Sequence, residues 1–195
     1  MFNRISDRRQ AHLDSACLHS ESIKTGFLPT LGVRFLTLMY RCIDEGDDTI
    51  LIVRYKGEKL SGFVSGTVGT SSIYKAMMRH PVELLIAIFP VIFSLSKLKK
   101  IVSIFLHMQG KERTRFPKAE LLTICVSSEF RRQGIAEDLF ARLAEYYSDK
   151  NVREFVIIVG KALEANSFYV AQGGKVRGEL SVHKGSPSNV YVKSM

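Results

Sequence analysis

The stretch Leu121 to Phe140, LLTICVSSEFRRQGIAEDLF, runs from an apolar strand through Arg131-Arg132-Gln133-Gly134-Ile135-Ala136 into an amphipathic helix. A chain that makes this passage leaves the first N–H groups of the helix without intrahelical partners, at the positive end of the helix dipole. A phosphate placed there gains hydrogen bonds and charge stabilisation together. Gly134 and Ala136 supply the small side chains that let an anion come close. A plain strand-to-helix connection also uses glycine, and is the competing reading of the loop alone.

The surrounding pattern predicts which elements flank the loop. Glu120 to Val126 reads as a strand, and Arg132 to Ser148 as a helix whose stripe of Ile135, Leu139, Phe140, Leu143 and Tyr147 faces a core. Glu154 to Val159, EFVIIV, has the unbroken apolar character of a strand covered on both faces. Ala162 to Gln172 reads as a helix stopped by Gly173-Gly174, ahead of two last strands near Lys175 to Val182 and Val190 to Lys193. Strands alternating with helices argue for an α/β sheet. In the first half, helical spacing between Ala11 and Ile43, with a stripe including Phe27, is interrupted around Gly26, Pro29 and Gly32 and predicts two helices. Thr49 to Tyr55 and LSGFVSGTV, joined at Lys56-Gly57-Glu58-Lys59, predict a hairpin.

Arg131 to Ala136 fits the pattern R/Q-x-x-G-x-G/A after an apolar strand, and in this it resembles the GNAT superfamily of N-acetyltransferases. Residues 119 to 182 follow the family order closely, and the first half follows it in outline. The resemblance implies an α/β fold in which a mixed central sheet is flanked by helices, with residues 1–195 forming one acetyltransferase domain. It implies acetyl-CoA as co-substrate, no metal, and a small-molecule amine as acceptor, attacked directly in a ternary complex. The loop residues Arg131, Arg132, Gln133, Gly134, Ile135 and Ala136 would hold the pyrophosphate. Ile124, Cys125 and Val126 would meet the pantetheine arm through their backbone, on a strand that diverges from its neighbour. Tyr169, in Asn166-Ser167-Phe168-Tyr169, would protonate the departing thiolate, which suits a phenol that stays protonated at neutral pH. Elsewhere a tyrosine on a helix is more often a core residue.

Glu120 resembles the position some members use for a general base, against the alternative of a strand-edge carboxylate. Many members carry an asparagine seven residues before the tyrosine; here that position is Ala162, and Asn166 is the partial substitute for a cofactor contact. A thiolate at Cys125 could accept an acyl group, but no histidine lies nearby in sequence, so a small apolar strand residue is the better reading. The segment Gly26 to Tyr40 weakly resembles members associated with surface-polysaccharide synthesis, which makes an amino sugar the first acceptor expected. A protein or peptide acceptor, or a non-catalytic acyl-CoA-binding module, is the alternative.

Residues 71–109 depart from the family and read as a helical insertion between strands 3 and 4 of its order. Val82 to Leu95 is apolar nearly all round apart from Glu83; it is broken by Pro90 and too short to span a membrane. A buried helix or a subunit contact in a homodimer is one reading. A lid or a peripheral membrane contact through 82–108, with Lys97, Lys99 and Lys100 at the headgroups, is the other.

The formal charge of +9 favours an anionic partner, and the phosphates of CoA suffice. Nucleic acid is not expected, since the basic residues are scattered rather than set in a stripe with aromatics. Cys17, Cys42 and Cys125 are odd in number and share no ligand spacing, so neither a disulfide framework nor a metal motif is expected. With a polar start, MFNRISDRRQ, this points to the cytoplasm.

Overall fold

The computed structural model describes residues 8–24, 28–69, 71–92, 115–183 and 186–195. Helix α1 (Arg8–Ser22) and helix α2 (Val33–Asp44) flank a 3-10 turn at Leu28–Leu31. Helix α2 is amphipathic and buries Leu36, Leu38, Met39, Tyr40, Cys42 and Ile43. Helix α1 buries a more polar face, His12, Ser15 and His19 beside Ala11, Ala16 and Leu18. Its histidines are satisfied by α2: His12 Nε2 meets Asp44 at 2.9 Å and His19 Nδ1 meets the Tyr40 hydroxyl.

Strands β1 (Thr49–Lys56) and β2 (Lys59–Thr67) form the expected hairpin, closed by Gly57 and Glu58 between paired Lys56 and Lys59. Helices α3 (Ser71–Met78) and α4 (Pro81–Ile92) follow, so among the described residues the helical insertion comes after the second strand. Pro81 separates the two helices, occupying a first helical position where its missing N–H costs nothing. Pro90 does not break α4, which runs through it to Ile92. Leu84 and Ala87 lie on or in the core beside α2, and Glu83 pairs with Arg41 of that helix at 3.1 Å. Met78, Val82, Leu85 and Ile86 stay at least half exposed. Lys97, Lys99 and Lys100, the rest of 71–109 and of 82–108, and Gly26 and Phe27 lie outside the described residues.

Strand β3 (Glu120–Val126) leads through the loop into helix α5 (Ile135–Asp149), and β4 (Glu154–Gly160) into helix α6 (Ala165–Ala171). Strands β5 (Lys175–His183) and β6 (Ser186–Ser194) close the chain as a hairpin. The six strands stand in the order β1-β2-β3-β4-β6-β5, with β3 and β4 parallel and every other neighbouring pair antiparallel. This is the mixed central sheet flanked by helices that the resemblance implies.

Two cores divide the faces of the sheet. Helices α1, α2 and α3 cover one face, over Val53, Phe63 and Cys125. Helices α5 and α6 cover the other, over Val64, Leu121, Phe155, Ile157 and Tyr191. Helix α5 starts at Ile135, three residues later than the pattern suggested, because Arg132 and Gly134 hold φ of 58° and 73° and cannot belong to a right-handed helix. Helix α6 is likewise shorter than Ala162 to Gln172, its approach taken up by a turn that Asn166 ties down.

Candidate active site

Strands β3 and β4 are bridged only at Glu120 with Val156 and Leu121 with Ile157. Beyond that point β3 stays on β2 as far as Val126, and β4 stays on β6 as far as Gly160. The two parallel strands therefore part, and among the described residues the β4-side edge of Ile124, Cys125 and Val126 has no ladder partner across the gap. An extended amide-bearing chain fits such an edge as an added strand would.

The closed end of the gap is pinned by Tyr147. Its hydroxyl donates to the Glu120 carbonyl at 2.6 Å and accepts the Thr67 N–H at 3.1 Å. Gly66 makes this possible, since a Cβ there would fall 2.5 Å from that hydroxyl oxygen.

A bulge then sorts the side chains of β3. Thr123 pairs with Ser65 but Leu121 with Gly66, so Leu122 is the extra residue and the alternation resets. Leu121, Ile124 and Val126 join the α5 side, while Cys125 joins the α1 and α2 side. Thr67 and Ser65 sit two apart on β2, which puts their partners Glu120 and Thr123 on one face despite odd spacing. Glu120 is buried at the closed end, roughly 15 Å along the strand from Cys125 at about 3.3 Å per residue.

At the open end, Arg131, Arg132, Gln133 and Gly134 are exposed, while Ile135 anchors the helix start in the core. Gly134 is the N-cap and offers no side-chain cap; the first return bond is Asp138 N–H to its carbonyl at 3.1 Å. The amides of Ile135, Ala136 and Glu137 thus precede the first intrahelical bond. Asp138, which would oppose an anion, is engaged by Arg54 at 3.0 Å and Arg142 at 3.3 Å. Arg131 reaches the Val126 carbonyl through Nε at 3.4 Å. Two further cations converge from the β1-β2 turn: Lys56 bonds Gln133 at 3.2 Å and Lys59 meets Glu129 at 3.2 Å. The sequence reading missed both lysines, because only the pairing of β2 with β3 brings that turn to the loop.

Tyr169 lies on α6, 5% exposed, with its ring beside Phe168 and Tyr191. Its hydroxyl has no hydrogen-bond partner among the described residues. Burial, with a smaller push from the Cys125 thiol, raises its pKa far above the ordinary phenol range, so it stays protonated. Tyr169 belongs to the same core cluster as Leu121, Ile124 and Val126 of β3. Burial pushes the Cys125 thiol up to about 12, with Arg131 drawing it slightly back. A thiol so held supplies no nucleophile near neutral pH, in keeping with the apolar strand reading.

Asn166 has its whole amide engaged by protein. Nδ2 donates to the Gly160 carbonyl at 3.0 Å and to Lys161 at 3.2 Å, while Oδ1 accepts from Asn189 and from the Tyr191 hydroxyl, each at 2.9 Å. It fastens the start of α6 to β6, and any bond to a bound ligand would replace one of these. Among the described residues no group of His, Cys, Asp and Glu is placed to hold a metal ion, and the three cysteines are free.

No curated protein matches the chain. Solved structures share its fold at low identity. The PaiA N-acetyltransferase of Thermoplasma acidophilum, solved with coenzyme A, is 15% identical with a TM-score of 0.58, covering 96% of this chain and 94% of its own. An aminoglycoside 6'-N-acetyltransferase with coenzyme A is 12% identical with a TM-score of 0.60, covering 99% and 94%. The ribosomal-protein-S18-alanine N-acetyltransferase of Escherichia coli is 10% identical with a TM-score of 0.57, covering 95% and 88%. Residues 94–193, just over half of the chain, match the model of the acetyltransferase (GNAT) domain. The chain therefore belongs to the GNAT family of acetyltransferases and is an acyltransferase.

Proposed function

We propose that the protein transfers an acetyl group from acetyl-CoA to the primary amine of a small molecule, an amino sugar first among the candidates, by direct attack in a ternary complex. The observation that carries this reading is the parting of β3 from β4, with an uncapped helix start at its open end and Tyr169 in the core cluster that β3 shares with α5 and α6. The loop from Arg131 to Ala136 would take the pyrophosphate on its amides and guanidiniums. The free edge of Ile124, Cys125 and Val126 would take the pantetheine amides, and a strand N–H there would polarise the thioester carbonyl.

The amine nitrogen attacks the thioester carbon, the carbon–sulfur bond breaks, and the leaving sulfur takes the Tyr169 proton. Glu120 lies on the face opposite α5 and receives the ammonium proton through ordered water, since the strand holds it too far away for direct contact. Asn166 contributes by fixing α6 and with it Tyr169. Direct transfer is favoured over an acyl-enzyme because the Cys125 thiol is held protonated.

Replacing Tyr169 by Phe tests the assignment. Transfer, followed as thiol release with a panel of amino sugars, polyamines and peptides, should fall by about 100-fold or more while CoA affinity stays within about twofold. Unchanged transfer would remove Tyr169 from the chemistry. A wild-type protein that binds CoA and acetylates no amine would favour the non-catalytic module.

The exposed apolar face of α4 favours a second reading, in which the enzyme works at a membrane surface on a lipid-linked amine. Among the described residues no helix is long and apolar enough to cross a membrane.

A further inference from the structure

A cavity of about 470 Å³ lies over β5 and β6, lined by Arg115, Phe116, Glu154, Arg177, Gly178 and Val192 among others. The ladders place it. Val192 pairs with Val156, and Val156 with Glu120, so these three project from one face of the sheet. Phe155, Ile157 and Tyr191, the alternate residues, pack on the α5 and α6 side. The cavity therefore opens on the opposite face, the one that carries Glu120. Phe116 confirms the side, standing 3.3 Å from where a Gly178 Cβ would be.

Gly178 pairs with Val190, and Val190 with Ile158, the first β4 residue beyond the bridges to β3. Two strand spacings, about 10 Å, thus separate this part of the cavity wall from the gap.

The wall is cationic on balance. Arg115 and Arg177 make no ion pair among the described residues, whereas Glu179 is taken up by Lys161. Glu154 accepts a hydrogen bond from Ser194 at 3.0 Å and is the one remaining carboxylate of the wall. Two guanidiniums against one carboxylate leave a net positive charge, in a geometry suited to forked bonds with oxyanions.

We propose that this cavity is the outer half of the acceptor site and binds an anionic group, phosphate or carboxylate, carried about 10 Å from the acceptor amine. The inference rests on the acetyltransferase reading for the amine's position. A nucleoside-diphosphate amino sugar and the free carboxylate of a short peptide both present this chemistry.

Two matched pairs of acceptors test it: an amino sugar with and without its nucleoside diphosphate, and a tripeptide with a free or an amidated C-terminus. The anionic member of at least one pair should show a kcat/KM at least about tenfold higher, carried mainly by KM. The double variant Arg115→Ala/Arg177→Ala should abolish that preference without altering turnover of the neutral member or CoA affinity. The matching double lysine variant, which keeps the charge, should retain part of it. Which pair responds identifies phosphate or carboxylate. Absence of any preference, or a preference that survives in the alanine variant, would overturn the proposal. Calorimetric titration of CoA-saturated protein with a nucleoside diphosphate, and with the same free-acid peptide, reads the cavity without turnover. Arginine-dependent binding there supports the subsite even if no amine is acetylated, an outcome that would sink the catalytic reading alone; binding of neither probe overturns the subsite.

Discussion

Tyr169 and His19 show burial acting on two titratable side chains in opposite senses. For Tyr169 it keeps the phenol protonated, as the proposed acid role requires. For His19, 2% exposed, it lowers the pKa from 6.5 to about 4, and the neutral ring shares a hydrogen bond with the Tyr40 hydroxyl through Nδ1. A histidine pKa depressed on folding means that the unfolded chain binds the proton first. Its contribution to stability is therefore complete above about pH 6.5 and drains away as the pH falls through about 4. Urea unfolding between pH 7.5 and 4 should show wild type losing up to about 3 kcal/mol more than His19→Asn. Parallel profiles for the two proteins would refute the assignment. Tyr169 could be singled out in the sequence because a local motif carries it, and its role is a proposal. The His19-Tyr40 pair was not, since it joins residues of two helices, and nothing in either helix alone marks the partner.

On the proposed reading, the passage from β3 to α5 is the element on which CoA affinity turns. Its existence was readable from an apolar strand followed by small residues, but its boundary was misplaced because the left-handed turns at Arg132 and Gly134 leave no mark in the apolar stripe. Space around the Gly134 Cβ position is open, so a side chain there meets backbone strain rather than a clash. Gly134→Val should cost about 1–2 kcal/mol in the bound geometry, weakening CoA by roughly tenfold in calorimetry; affinity equal to wild type would show that the turn does not form the site. The bulge at Leu122 was invisible for a different reason: every β3 residue from Leu121 to Val126 except Thr123 is apolar, so no polar alternation betrays the reset. The apolar run of α4 was expected to be broken at Pro90; the helix runs through it to Ile92 and presents Val82, Leu85 and Ile86 outward. If that face meets a membrane, the protein should float with anionic vesicles, and Leu85→Glu with Ile86→Glu should abolish flotation while leaving transfer to soluble amines unchanged. Flotation indifferent to these changes, or absent, would exclude this face as a membrane contact.

Across the whole molecule, sequence order and spatial order agree for β1 to β4 and then diverge, because β6 inserts between β4 and β5. The alternation of strands and helices made the sheet legible, and the loop motif made the family legible. Neither could show which strands part, since that depends on β4 finding β6 along its full length while meeting β3 at only two positions. The same arrangement sets the division of labour between the faces: one carries α5, α6 and Tyr169, the other carries Glu120 and the cationic cavity. On the proposed reading the basic excess of the chain would serve at two places, the loop with its neighbouring lysines and the cavity with its arginines. A crystal structure of the complex with coenzyme A bears most directly on this division. The pyrophosphate should sit on the amides of Ile135 and Ala136, with the pantetheine lying between β3 and β4 and its sulfur near Tyr169. Coenzyme A bound elsewhere, with β3 and β4 still empty between them, would contradict the account.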